Sequence, residues 1–441
     1  MPSWRTNQHL GSALRTPGAS PSRESGRNVM SRPDQGGSPC VTRVARQGGD
    51  LALAARRPRR TPAGLLHLPH CELALGLDMT EHRYRPPLRV GVIGAGAMGS
   101  VHVRTLTSSV PAARVTHVFD VDGARAAAVA GPHDAWASPS TQELISASDV
   151  DAVVIASPDS THAELVRACV EVEKPVLCEK PLAVTPEEAL SLVEAEVALG
   201  RRLIQVGFMR RFDPGFLELR RVIELGELGD VRLLHAVHRN ASSSTSIDDA
   251  GLITGSMIHE LDTIAWLLDD QVESIRVESP IMEGFRDPQM ATVWTRGGVM
   301  ATVEVFVNAA YGYDVRCEVV GTNGSSCLQP QAAVSTRTTG RLESPIHSDF
   351  VAYFQDAYRA ELAAWVHAAA AGRVEGPSAW DGYVTSVAAH AGVKSLSTGA
   401  REPVRPGAAP DLYQHVDHAD ATQDPLKPAG ALGPGKGTEF R

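Results

Sequence analysis

The sequence predicts an α/β protein: an N-terminal doubly wound parallel sheet, then an α+β domain built on an open, largely antiparallel sheet. Three observations predict it. From Leu88, short apolar strands alternate with helical patterns in βαβα order. After Phe208 the strand-like runs lengthen and alternate, with Arg296-Gly297-Gly298 and Thr322-Asn323-Gly324 as hairpin turns. The chain has 441 residues, 43% hydrophobic and 21% charged, enough for two cores.

In the first half, strands are expected at 89–93, 115–119, 150–156, 175–178 and 203–207. Helices fall between the glycine loop and 108, and at 123–130, 161–172 and 186–199. In the second half, strands are expected at 231–238, 272–277, 291–295, 299–307 and 315–320, and helices at 256–268, 350–371 and 380–396. The domains then run 85–207 and 208–402. A leader without periodicity (1–84) precedes them and a Pro/Gly/Ala-rich tail (403–441) follows.

Residues 1–78 hold 11 Arg, no Lys and 5 acids, a charge of +6, whereas the whole chain carries −9. The body is therefore acidic, which argues against nucleic acid as its partner. The scattered arginines of the leader read as a disordered or untranslated segment, with translation expected from Met79. Arg56-Arg57 and Arg59-Arg60 leave a twin-arginine export signal as the alternative, but His67, His70, Cys71 and Glu72 interrupt the apolar stretch behind them. No run reaches the roughly 18 apolar residues of a membrane helix. Cys40, Cys71, Cys169, Cys178, Cys317 and Cys327 form no C-x-x-C pair, so reduced thiols in the cytoplasm are expected and no metal site.

Gly94-Ala95-Gly96-Ala97-Met98-Gly99 follows a strand and opens a helix. In that context G-x-G-x-x-G is a Rossmann dinucleotide fingerprint. Gly94 allows the tight turn, Gly96 the approach of the pyrophosphate, and Gly99 close helix–strand packing. The helix N-terminus offers free N–H groups to the anion. Asp120 ends the second strand and suits the ribose hydroxyls of NAD. Nearby Arg125 leaves NADP as the second choice.

Further segments carry a resemblance: Ser157-Pro158-Asp159-Ser160-Thr161-His162, Glu179-Lys180-Pro181, Phe208-Met209-Arg210-Arg211-Phe212-Asp213 and His259-Glu260-Leu261-Asp262. With the glycine loop they resemble the glucose–fructose oxidoreductase / inositol dehydrogenase (Gfo/Idh/MocA) family over about 88–400. Tyr311-Gly312-Tyr313-Asp314, Gln355-Asp356-Ala357-Tyr358-Arg359 and Gly376–Tyr383 narrow it towards its inositol 2-dehydrogenases. The resemblance implies a soluble homo-oligomer, often a tetramer, that oxidises a ring carbinol to a ketone by hydride transfer to NAD. Myo-inositol, giving scyllo-inosose, is the expected substrate. It implies that Lys180 sits between nicotinamide and substrate and that His259 accepts the proton. It further implies that Met209, Arg210, His238 and Tyr313 line the polyol pocket. Ser157 and His162, with Glu179, then lie along the cofactor.

Oxidising a secondary alcohol needs a base for the hydroxyl proton and positive charge beside the developing alkoxide. Lys180 follows the C-terminal edge of a strand, where open α/β sheets bind ligands. A solvated surface lysine is the plainer alternative. On a helix at 256–268, Met257, Leu261, Ile264, Ala265 and Leu268 form the apolar stripe. His259 falls opposite, with Asp262 at i+3 as its expected support and a substrate contact. The resemblance implies an acid one turn before this histidine, where this chain has Gly255. Asp262, Asp248 or Asp249 is expected to compensate, and Ser256 or Thr254 to cap the helix. His235 and His238 lie three apart on one strand, so they face opposite ways and form no metal pair. The Ser242–Ser246 run reads as a loop over the pocket. Two rival readings remain: another sugar or inosose oxidoreductase of the same family, and a non-catalytic sensor that binds NAD and polyol.

Overall fold

The computed structural model describes residues 86–243, 247–329 and 334–414. The expected leader, the start at Met79, most of the tail and part of the Ser242–Ser246 run lie outside the described residues.

The first half is a six-stranded parallel sheet in the order β3-β2-β1-β4-β5-β6. Its strands are β1 (Leu88–Ile93), β2 (Ala113–Phe119), β3 (Trp136–Ala137), β4 (Ala152–Ile155), β5 (Val176–Glu179) and β6 (Ile204–Gly207). The crossovers are α1 (Ala97–Ser109), α2 (Gly123–Ala130), α3 (Thr141–Ser146), α4 (His162–Glu171) and α5 (Pro186–Leu199). The strands are near-continuous apolar runs because helices cover both faces. In β4, Val153 and Ile155 enter one core, Ala152 and Val154 the other. The helix ends follow local chemistry. Asp122 caps α2. Thr185 and Glu188 form a capping box on α5, Pro186 takes its first turn, and Gly200 ends it at φ 77°.

The second half holds α6 (Pro214–Glu224), β7 (Val231–Arg239), α7 (Asp249–Gly251), α8 (Ile258–Leu268), β8 (Val272–Glu278), β9 (Gln289–Thr295), β10 (Met300–Phe306), β11 (Asp314–Gly321) and β12 (Ser325–Cys327). It continues with β13 (Thr336–Thr338), β14 (Arg341–Glu343), α9 (Phe350–Tyr353), α10 (Gln355–Ala370), α11 (Ala379–Thr398), β15 (Glu402–Pro403) and α12 (Asp411–Gln414). A seven-stranded sheet runs β12-β11-β7-β10-β9-β8-β15, and β13 pairs with β14 apart from it. Within the large sheet only β7 and β10 pair in parallel. The inward residues of β7, β9 and β10 pack on α8 and α11 in one apolar core.

Two helices differ from expectation. The expected helix at 350–371 breaks at Phe354 into α9 and α10. The one at 256–268 starts earlier, at Asp249, and passes through a π-helical stretch, Leu252–Met257, before α8. Asp248 caps that start, not Ser256 or Thr254. Gly255 sits inside the wide turn, where it weakens the helix without ending it.

Alpha10 belongs to the second half in sequence but divides between the cores in packing: Ala357 and Tyr358 join the core of the seven-stranded sheet. Its Leu362, Trp365 and Val366 join Val90, Val92, Val154 and Leu177 under the parallel sheet. Alpha11 lies against both α5 and β8.

Candidate active site

The glycine loop is built as its residue types require. Gly94 has φ 94°, and a Cβ there would lie 2.5 Å from the Ala156 carbonyl. A Cβ on Gly99 would lie 1.7 Å from the Gly94 carbonyl. A Cβ on Gly96 would meet nothing within 4 Å, so this glycine faces open space. No side chain caps α1, which leaves its first N–H groups to an anion. Asp120 accepts from the Ala95 and Asp122 N–H groups at 2.8 and 2.9 Å, with Arg125 3.3 Å away. These features fit a dinucleotide: a cradle for its pyrophosphate beside a fixed carboxylate for its ribose. Ser157 opens the next loop and shares a 2.7 Å hydrogen bond with Thr161.

Met98 carries the loop into a cleft of about 170 Å³ between the two sheets. Glu179 and Lys180 enter it from the end of β5, Met209 from the turn after β6, and His238 and Asn240 from the end of β7. Gly255, Ser256 and His259 line it from the π turn and α8, and Tyr313, Phe350 and Tyr358 close it. Lys180 Nζ donates to the Gly255 carbonyl at 2.8 Å. His259 is 7% exposed, and its Nδ1 has no hydrogen-bond partner. Burial first, then the charges of Lys180, Arg210 and His238, hold its pKa well below the usual imidazole range. The ring is therefore a neutral base with a lone pair available, the state proton abstraction needs.

A buried polar chain holds His238 from behind. Arg210 pairs with Glu260, and both side chains are almost wholly buried. His238 Nδ1 lies 3.3 Å from Glu260 and 3.4 Å from Arg210, and its Nε2 lies 3.4 Å from the Tyr313 hydroxyl. Burial opposes the charge on Glu260, but Arg210 and His238 outweigh it and bring the carboxyl below its usual range. Burial pushes the Tyr313 hydroxyl up, so it stays a donor.

Several expected roles change. Arg210 does not line the cleft; it lies beneath it and neutralises Glu260. Asp262 neither supports His259 nor reaches the cleft. Arg211, from the turn before α6, takes it in a two-point ion pair at 2.6 and 3.1 Å and also reaches Asp381. An i+3 offset turns Asp262 far enough around α8 to face that arginine. Asp248 caps the helix start and Asp249 pairs with Arg286, so neither replaces the acid missing at 255. His162 is wholly buried, and its ring nitrogens meet the Pro181 and Ser157 carbonyls, which ties two loops together. His235 faces away from His238 and bonds Thr302. Among the described residues no group of three His, Cys, Asp or Glu is placed to hold a metal.

Sequence reasoning missed Asn240, Ser256, Phe350, Tyr358 and Glu260. Asn240 was readable, because two residues beyond His238 it shares the same strand face. Glu260 gave no signal, since nothing in the sequence places Arg210 opposite it.

Residues 88–208 match the model of the GFO/IDH/MocA oxidoreductase family, NAD-binding Rossmann fold, and 216–326 match the GFO/IDH/MocA C-terminal domain. The chain is 48% identical over 332 residues to inositol 2-dehydrogenase 2 of Saccharopolyspora erythraea, covering 74% of this chain and 98% of that one. It is 43% identical over 334 residues to an inositol 2-dehydrogenase of Klebsiella pneumoniae, with 74% and 99% covered. A solved myo-inositol dehydrogenase from Lactobacillus casei, in complex with NAD(H) and myo-inositol, superposes with a TM-score of 0.72 at 33% identity. That match covers 74% of this chain and 100% of the other. A cradle for the dinucleotide thus opens onto a cleft holding a lysine and a neutral histidine, and the chain belongs to the GFO/IDH/MocA oxidoreductase family as an NAD-dependent dehydrogenase.

Proposed function

We propose that the enzyme oxidises one ring carbinol of a cyclic polyol to a ketone, with myo-inositol the first substrate. The observation that carries this reading is the meeting of Lys180, neutral His259 and Met98 of the glycine loop in one cleft. The named relatives support the substrate class. Bound NAD supplies the hydride acceptor. The chain's own groups handle the rest. Lys180 Nζ binds the reacting hydroxyl and stabilises negative charge on its oxygen, and His259 takes the proton. Asn240, His238 and Tyr313 offer hydrogen bonds to the remaining hydroxyls. The alcohol loses a hydride and a proton and becomes the ketone. In place of an acid at 255, a backbone carbonyl holds Lys180.

The test is NADH formation by the purified protein across a panel of inositols, inososes and linear sugars, with NAD and NADP. Turnover is expected with inositols and NAD. Turnover confined to linear sugars overturns the substrate. Binding of NAD and inositol without turnover, with activity switched on by Gly255→Asp, would favour the sensor. That aspartate fits, since a Cβ at 255 meets nothing within 4 Å.

The same reading makes the protein a cytoplasmic homotetramer. The described cysteines are free, as a reducing compartment keeps them. No described helix is long and apolar enough to cross a membrane. Helices cover one face of the seven-stranded sheet. The other presents Leu233, Val237, Met290, Trp294 and Phe306, a face suited to a second copy. Sedimentation equilibrium is expected to give a tetramer that Val237→Arg dissociates, whereas a monomeric wild type would overturn the assembly.

A further inference from the structure

Glu361 on α10 is 0% exposed, and neither carboxyl oxygen has a hydrogen-bond partner. Two more polar atoms on α1 and α10 lack a partner: His102 Nδ1 and Trp365 Nε1, both in fully buried side chains. Alpha1 packs against α10, and the His102 ring meets the Tyr358 ring edge-on at 6.0 Å. Tyr358, Glu361 and Trp365 follow one another along the buried face of α10. His102 Nε2 lies 2.8 Å from Glu179 Oε1, and Glu179 directly precedes Lys180 in the cleft.

The donors and acceptors complement one another. Burial opposes ionisation of Glu179, but the His102 hydrogen bond and the nearby Lys180 bring its carboxyl below the usual range. An ionised carboxylate only accepts, so His102 Nε2 carries the hydrogen, and in that tautomer Nδ1 has a lone pair to offer. An ionised Glu361 would be a buried charge with no cation against it, an arrangement cores avoid. Burial pushes its carboxyl well above the usual range, and the Glu179 charge pushes it further. As a neutral acid it has one O–H to donate and one oxygen to accept. His102 needs the first and Trp365 the second.

We propose that Glu361 is a protonated carboxylic acid that donates to His102 Nδ1, directly or through one buried water, and so positions the Glu179 carboxylate beside Lys180. Glu361 is a positioning residue and touches no reacting atom. Its neutral state keeps two carboxylates from competing for one imidazole, and it sets the rotamer and charge of Glu179 from behind. Tyr358, Tyr313 and Arg210 also face this region. The effect on turnover rests on the reading of Lys180 given above; the protonation of Glu361 does not.

Infrared difference spectra of the full chain test the protonation. The carbonyl stretch of a protonated carboxylic acid is expected at neutral pH and should vanish in Glu361→Gln. Its absence from the wild type overturns the proposal. Glu361→Gln, which keeps a donor and an acceptor, is expected to retain kcat. Glu361→Leu is expected to lower kcat roughly tenfold, the scale of one buried hydrogen bond. It should also shift the pH profile of kcat while the polyol KM stays unchanged. Equal losses in both variants, or a leucine variant like wild type, overturn the positioning role. If the leucine variant does not fold, the infrared band and the glutamine variant decide. A protein that turns over no polyol fails the substrate reading and leaves the band as the measure of this one.

Discussion

Lys180→Ala is expected to lower kcat about a thousandfold, within the range of a general acid–base group, while NAD binding changes little. The ammonium lies in the cleft, 2.8 Å from the Gly255 carbonyl and beside a histidine that burial keeps neutral. With no cation in this place, the alkoxide forms without a compensating charge. The glycine loop and Asp120 lie on other loops of the sheet, so the cofactor keeps its cradle. Pre-steady-state NADH formation and calorimetric titration with NAD separate the two quantities. A loss below tenfold, or a matching loss of NAD affinity, would show that Lys180 serves binding instead of chemistry. Lys180→Arg is expected to recover little, because a planar guanidinium does not replace a compact ammonium.

Glu260→Ala is expected to destabilise the fold by about 3–5 kcal/mol, because it strands the Arg210 charge in the interior. For a domain of this size that corresponds to a melting temperature lower by roughly 10 °C. Arg210 and Glu260 are 2% and 1% exposed, so water cannot take over as partner. Replacing both with Met and Leu is expected to cost less than the single change, since it removes the charge together with its partner. Thermal and urea unfolding of the single and double variants measure this. A double variant as unstable as Glu260→Ala would mean that lost packing, not a stranded charge, sets the cost. The single variant should also raise the polyol KM, because His238 loses one of its supports.

What the sequence revealed depended on how local the physics was. The bounds of α2 and α5 were legible to the residue, because caps, a first-turn proline and a closing glycine all act within a few positions. The glycine loop was legible for the same reason. Alpha6 was missed although Asp213 and Pro214 form a standard start. The short edge strands β12 and β15 were missed because backbone pairing holds them and no apolar alternation marks them. The helical segment before α8 was missed because Gly255 reads as a helix breaker, whereas here it sits inside a π turn. In the cleft, His259 and Lys180 were named and the structure brings them together. Asp262 failed as a partner because a helical wheel gives angles on one helix and not what lies across from it. Only the fold brings Arg211 there.

The position of α10 bears on how such a protein is recombined. A chimera joined at 208 would set the dinucleotide sheet of one parent against the Leu362, Trp365 and Val366 of another. Its seam would be mismatched where the two parents differ at those side chains. The heritable unit is therefore not the sequence-contiguous half but the sheet together with the later part of this helix. A crossover scheme that respects inheritance by contact would take 88–207 and 362–370 from the same parent.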